Sequence, residues 1–188
     1  MIPDLATLSI VHYPDPVLTR RAKDIEEVDG QVLALAERMV ELMHEAPGIG
    51  LAAPQVGLGL RMFVLHVPAS DDPTDELSVD TDPPTASGIP MAFINPEITE
   101  RSKDLVAYSE GCLSLPNITG DVRRPSSVTV EATGFDGKRF RVHAGGLLAR
   151  CIQHEYDHLD GILILSKFGR MDRMRNRHSI AALEESGV

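Results

Sequence analysis

The sequence predicts an α+β fold with an antiparallel sheet, on three observations. Residues 29–44 and 146–159 carry apolar side chains at helical spacing, and between them two alternating apolar runs flank a turn. With 188 residues, 43% of them hydrophobic, the chain can bury a sizeable core and reads as one domain.

In chain order, Asp29 is placed to cap a first helix in which Val32, Leu35, Met39, Leu42 and Met43 form one stripe, with Glu37, Arg38 and Glu41 opposite. Pro47 and Gly48 end it. Residues 61–67, 91–95 and 105–109 are short apolar runs of strand length. The stretch 68–90 has six acidic residues, five prolines and neither Lys nor Arg, and is expected to be a mobile acidic insertion between two strands. Its alternative is a lid or partner-binding loop. Val128, Val130 and Ala132 alternate with polar neighbours, Asp136-Gly137 supplies a turn, and Phe140 and Val142 follow, which together make a β-hairpin. The second helix, 146–159, sets Leu147, Cys151, His154 and His158 along one face. Residues 167–177 then hold five basic side chains against the single Asp172. There is no internal repeat.

The second helix contains His154-Glu155-Tyr156-Asp157-His158, an HExxH pattern. Residues four apart on a helix are neighbours, so both imidazoles can reach one ion while Glu155, about 100° further round, stays free to act on a water. A catalytic site of this type needs a third ligand. Cys151 is a poor one, because it precedes His158 by seven residues, a rise of roughly 10 Å on the same helix, against metal–ligand bonds of about 2.0–2.3 Å. Cys112, just after a predicted strand in Glu110-Gly111-Cys112-Leu113-Ser114-Leu115-Pro116, can approach from the far side; taken alone it reads first as a small buried core residue.

The bulk numbers limit the alternatives. A net charge of −10 disfavours a broad nucleic-acid surface, so DNA is not expected as a partner. No secretory signal opens the sequence and no run of about 18 apolar residues occurs, so a soluble cytoplasmic protein without a membrane partner is expected, its two cysteines reduced.

Three segments, GIGLAAPQVG at 48–57, EGCLSLP at 110–116 and QHEYDHLDG at 153–161, resemble in order and spacing the signature motifs of the peptide deformylases. The opening YPDPVL at 13–18 is also similar, so the likeness runs over roughly residues 8–168. The resemblance implies antiparallel sheets packed around a central helix carrying HExxH, and a single catalytic domain over 1–188. It also implies removal of the N-terminal formyl group from N-formylmethionyl nascent peptides, releasing formate. Cys112, His154 and His158 would hold one divalent ion per chain, with water in the fourth position: ferrous iron in the cell, with zinc, nickel or cobalt as alternatives. A thiolate and two neutral imidazoles leave about +1 on such a centre, which acidifies water less than three imidazoles would, so Glu155 has a role as base. Gln55 and the backbone N–H of Leu113 match the groups that stabilise the developing oxyanion in the family. Backbone groups of Ile49, Gly50 and Gly111 would pair with an extended substrate peptide. Leu147, Arg150, Cys151 and His154 would form the slot for its methionine side chain, with Tyr108 and Glu110 facing them. The basic segment at about 167–188 suits docking on the ribosome, as C-terminal helices do in some deformylases, or is a solvated face. Two rivals stand beside this reading. An HExxH metallopeptidase would usually draw its third ligand from a downstream His or Glu, and here the only histidine that follows is His178, in a basic tail. A non-catalytic metal-binding or ribosome-docking relative would typically lose Glu155 or Gln55.

Overall fold

The computed structural model of the protein describes residues 2–72 and 75–186. Pro73 and Thr74 of the acidic stretch, Gly187 and Val188 of the basic segment, and Met1 lie outside the described residues.

Helix α1 (Gly30–Glu45) begins where the Asp29 carboxylate accepts the backbone N–H of Gln31 and Val32, a cap worth about 1 kcal/mol. Its stripe of Val32, Leu35, Ala36, Met39, Leu42 and Met43 is buried. A five-stranded sheet follows with spatial order β1 (Gly50–Ala52), β2 (Met62–Leu65), β3 (Met91–Arg101), β6 (Ser127–Thr133), β7 (Arg139–Gly145), every pair antiparallel. The predicted hairpin is the β6–β7 pair, and Gly137 supplies its left-handed turn residue at φ +71°. Strand β2 is buried on both faces. Successive side chains point to opposite sides, so Met62 and Val64 join the cluster under α1, while Phe63 and Leu65 join the one under α2 (Gly146–Leu159).

A separate two-stranded sheet, β4 (Leu105–Cys112) with β5 (Leu115–Pro125), lies on the other side of α2. Helix α2 is thereby enclosed between two antiparallel sheets, with the ionisable residues Arg150, Glu155 and His158 among its buried positions. This is the expected α+β arrangement around the HExxH helix. A third cluster, including Leu18, Leu115, Ile118, Val122 and Phe168, joins β5 to the chain after α2. Helix α3 (Arg170–Ser186) packs on β5, where Asn176 donates to Thr119 O at 2.8 Å and Asp172 Oδ2 accepts the N–H of Asp121. Among the described residues, no helix is long and apolar enough to cross a membrane.

The acidic stretch is tied down at its far end, which differs from the free loop expected. Helix α2 starts at glycine with no side-chain cap, and the backbone carbonyls of Pro84 and Thr85 accept from Gly145 N at 2.9 Å and Leu148 N at 3.1 Å. They satisfy donors that a helix start otherwise leaves open.

Candidate metal centre

Strand β4 delivers Glu110 and Cys112 to the site, with a register irregularity between them before the chain turns into β5. Helix α2 delivers His154 and His158 from one face, their rings edge-to-face with centroids 5.1 Å apart. One donor atom each from Cys112, His154 and His158 lies within 4.8 Å of the others, and Cys112 Sγ is 3.3 Å from His158 Nε2. Cys151 is outside this cluster. Its buried thiol lies 3.4 Å from Ile49 O, and burial pushes its pKa well up.

The donor set suits a divalent transition ion. Burial and the nearby positive charge of His154 and Arg124 push the His158 pKa well down, so that ring is neutral and can ligate. Burial opposes protonation of His154 too, but hydrogen bonds to Cys112 and Glu110 prevail and lift its pKa to about 10. The surroundings of His154 therefore favour one positive charge, which a metal ion supplies in place of a proton. His158 Nδ1 and Glu155 Oε2 are buried without a protein hydrogen-bond partner among the described residues.

Glu110 holds His154. Its Oε2 accepts from His154 Nδ1 at 3.0 Å, which leaves Nε2 for a ligand bond. Arg124 grips Glu110 through Nε at 2.6 Å and Nη2 at 2.8 Å, and Arg150 Nη1 adds a bond of 2.6 Å. Burial alone would raise the Glu110 pKa, but Arg124 and His154 outweigh it and hold the carboxyl well below the usual range. Arg150 also donates to Val122 O and Val106 O and stacks over Tyr108, 5.4 Å from the ring centroid. Arg124 carries no sequence signal beyond its place in β5. Of the two aspartates flanking His158, Asp157 accepts from Arg124 Nη1 at 2.7 Å and from Lys167 at 3.1 Å, and Asp160 pairs with Arg61 at 2.9 Å, so both face cations.

Gln55, 1% exposed, is fixed end to end. Ala52 N–H donates to its Oε1 at 2.8 Å, turning Nε2 toward Cys112 Sγ at 3.5 Å and Ser114 Oγ at 3.4 Å. Ser114 belongs to the EGCLSLP segment but has no role assigned from the sequence. Glu155 is 3% exposed and leans on Gly50, where an added Cβ would stand 2.8 Å from its Cδ. That contact requires glycine as directly as any need for backbone access. Burial raises the Glu155 pKa to about 7, with His154 and Arg124 pulling against it.

These groups open on a cavity of about 530 Å³. Glu110, Cys112, His154, Glu155 and Gln55 meet it, as do Ile49, Gly50, Tyr108, Gly111, Leu113, Leu147, Arg150 and Cys151. Both β1 and β4 are edge strands bordering it. In an antiparallel pair, backbone groups alternate between the partner and the free edge. Ile49 O accepts from His66 N on the β2 side, so Gly50, one residue on, turns its N–H and C=O to the cavity edge. An extended peptide can add there as a strand.

The polypeptide deformylase family matches residues 7–174 of the chain. A peptide deformylase of Agrobacterium fabrum is 45% identical over 87% of this chain and 88% of the relative. One of Acinetobacter baumannii is 41% identical over 94% and 91% respectively. Among solved structures, a peptide deformylase from Ehrlichia chaffeensis superposes with TM-score 0.84 at 34% identity, covering 96% of each chain.

Proposed function

The chain belongs to the polypeptide deformylase family and hydrolyses the N-terminal formyl group of N-formylmethionyl nascent peptides, releasing formate; we propose that Glu155, Gln55 and the Cys112–His154–His158 cluster carry out that reaction here. The observation that carries this assignment is the ionisable, buried Glu155 carboxyl, with one oxygen lacking a protein partner among the described residues, beside the cluster and the cavity.

Cys112 Sγ and one nitrogen each of His154 and His158 would hold the ion. Bound there, a divalent metal supplies Lewis acidity that makes water a competent nucleophile near neutral pH. Ferrous iron is the proposed cellular metal, with zinc, nickel or cobalt able to occupy the same donors. Glu155 takes the proton of the attacking water and hands it to the leaving peptide nitrogen, which departs as a free amine. The Gln55 Nε2 amide and the Leu113 N–H donate to the oxygen as it gains charge. Backbone groups of Ile49, Gly50 and Gly111 align the peptide along the two strand edges, and the Ile49 side chain, 38% exposed, lies at the rim. The methionine side chain enters between Tyr108, Leu147 and Cys151. Glu110 and Arg150, locked to each other, form a fixed wall there. Formate release from formyl-Met-Ala-Ser against its acetyl analogue tests the reading, and equal turnover of the two would reject it. An internal peptidase is disfavoured because the third donor comes from the upstream strand β4.

We further assign 1–188 as one catalytic unit with an insertion at 68–90, working in the cytoplasm on chains leaving the ribosome, with neither DNA nor membrane as partner. Arg170 and Arg177 on exposed positions of α3 suit ribosomal RNA. Removing α3 would expose Phe168, so charge reversal at Arg170 and Arg177 is the proper test. Unchanged co-sedimentation with ribosomes would end that assignment.

A further inference from the structure

Outside the catalytic cleft, His44 and His66 turn ring nitrogens toward each other, with Nε2 of the first 3.1 Å from Nδ1 of the second. The rings are edge-to-face, centroids 5.3 Å apart. His44 sits in the last turn of α1, and His66 directly follows β2. Neither residue belongs to the Cys112 cluster.

We propose that His44 and His66 form a second metal site, a two-imidazole chelate for a divalent transition ion. The span supports it: with metal–nitrogen bonds of about 2.0–2.1 Å, nitrogens 3.1 Å apart subtend roughly 100° at a shared ion. That angle lies between square and tetrahedral coordination. The ring that now donates has only to move its proton to its other nitrogen, so two lone pairs face the ion with no net proton release. The C-terminal end of a helix is also a favourable place for positive charge, since the negative end of the helix dipole lies there. Imidazole donors select ions such as Ni²⁺, Cu²⁺ and Zn²⁺ over Mg²⁺. Water completes the coordination at this accessible position, where His44 is exposed and His66 half-buried.

The ion would clamp two segments that border the substrate cleft. His66 N–H donates to Ile49 O at 2.8 Å, and Gly48 N–H donates to Met43 O at 2.9 Å. The bridge thus joins the end of α1 to the chain beyond β2, across the loop that supplies Gly48, Ile49 and Gly50 to the cavity rim.

The test uses holoenzyme carrying one equivalent of Ni²⁺, dialysed against further Ni²⁺ with metal per chain measured directly. Wild type is expected to take up one additional equivalent and to gain thermal stability with excess Ni²⁺. His44→Gln and His66→Gln should each stop at one equivalent and show no such gain, while keeping wild-type deformylation at one equivalent. Mg²⁺ should produce neither effect. A wild type that saturates at one equivalent, or a further equivalent persisting in either variant, would overturn the site.

Discussion

Helix α2 presents two unlike sides. At about 100° per residue, Leu148, Ile152 and Leu159 fall on one side, against the five-stranded sheet, while Arg150, His154 and His158 fall roughly opposite, toward β4 and β5. Glu155 lies at the border between them, against Gly50 of β1. The apolar side chains are held by burial. The polar side is held by a network from Asp157 through Arg124 and Glu110 to His154, in which Arg124 is 3% and Glu110 6% exposed. Burying such charges costs several kcal/mol per ion before their pairing is counted, so this side contributes less to stability than its bond count suggests. The helix is thus anchored on one side and made reactive on the other, and substitutions should separate the two roles.

The largest separation is expected at Glu155. Glu155→Gln should retain the metal and fold while turnover falls roughly a hundred- to ten-thousand-fold, the range for losing a general base. Metal loss in that variant, measured by elemental analysis, would merge the roles this comparison keeps apart. The carboxyl must be ionised to accept a proton, so wild-type turnover should rise with pH through a midpoint at or below about 7, since a bound cation draws it down from its metal-free value. That limb should vanish in the variant.

Ile152, fully buried on the apolar side, provides the converse. Ile152→Ala should cost about 2–5 kcal/mol of unfolding free energy. Folded protein should deformylate at near the wild-type rate below its lowered Tm. A loss of turnover as deep as that of Glu155→Gln would mean that the anchor and the site are one unit.

Glu110→Gln should weaken metal binding about 10- to 100-fold, because it loosens the His154 orientation without removing a donor. It should also alter the acid limb of stability. The folded-state pKa of Glu110 is depressed, so its contribution is present above the unfolded value of about 4.3 and is lost as pH falls below that toward the folded value. Wild type should therefore lose stability more steeply than the variant as pH drops below about 4.5. Parallel acid curves would show that Glu110 contributes orientation alone.

The two sides were unequally legible in the sequence. Apolar periodicity located α1 and α2 almost to the residue, and a polar turn located β6 and β7. HExxH nominated two candidate ligands, and the likeness of the EGCLSLP segment nominated Cys112. Strand β5 escaped because its inward positions after Ile118 are Gly120, Val122 and Arg124, too polar a series to read as a buried face. Its Arg124 was hidden with it, since nothing local links that residue to Glu110, 14 positions away. Helix α3 escaped for a related reason: its buried residues are Asp172 and Asn176, so no apolar stripe marks the side that docks. Tertiary pairing, which periodicity does not record, decided both.

The smallest effect should come from the outer end of the polar network. Asp157 has a side chain 17% exposed, and it shares Arg124 with a carboxylate that binds the same guanidinium twice. Asp157→Asn keeps a carbonyl oxygen facing Arg124 Nη1 and leaves the two bonds to Glu110 intact. Lys167, 32% exposed, can turn its ammonium to water. Metal affinity should therefore fall by no more than a few-fold, well short of Glu110→Gln. Equal losses in the two variants would mean that Arg124 holds its position only when anchored at both ends, which would extend the functional side of α2 outward to the surface at Lys167.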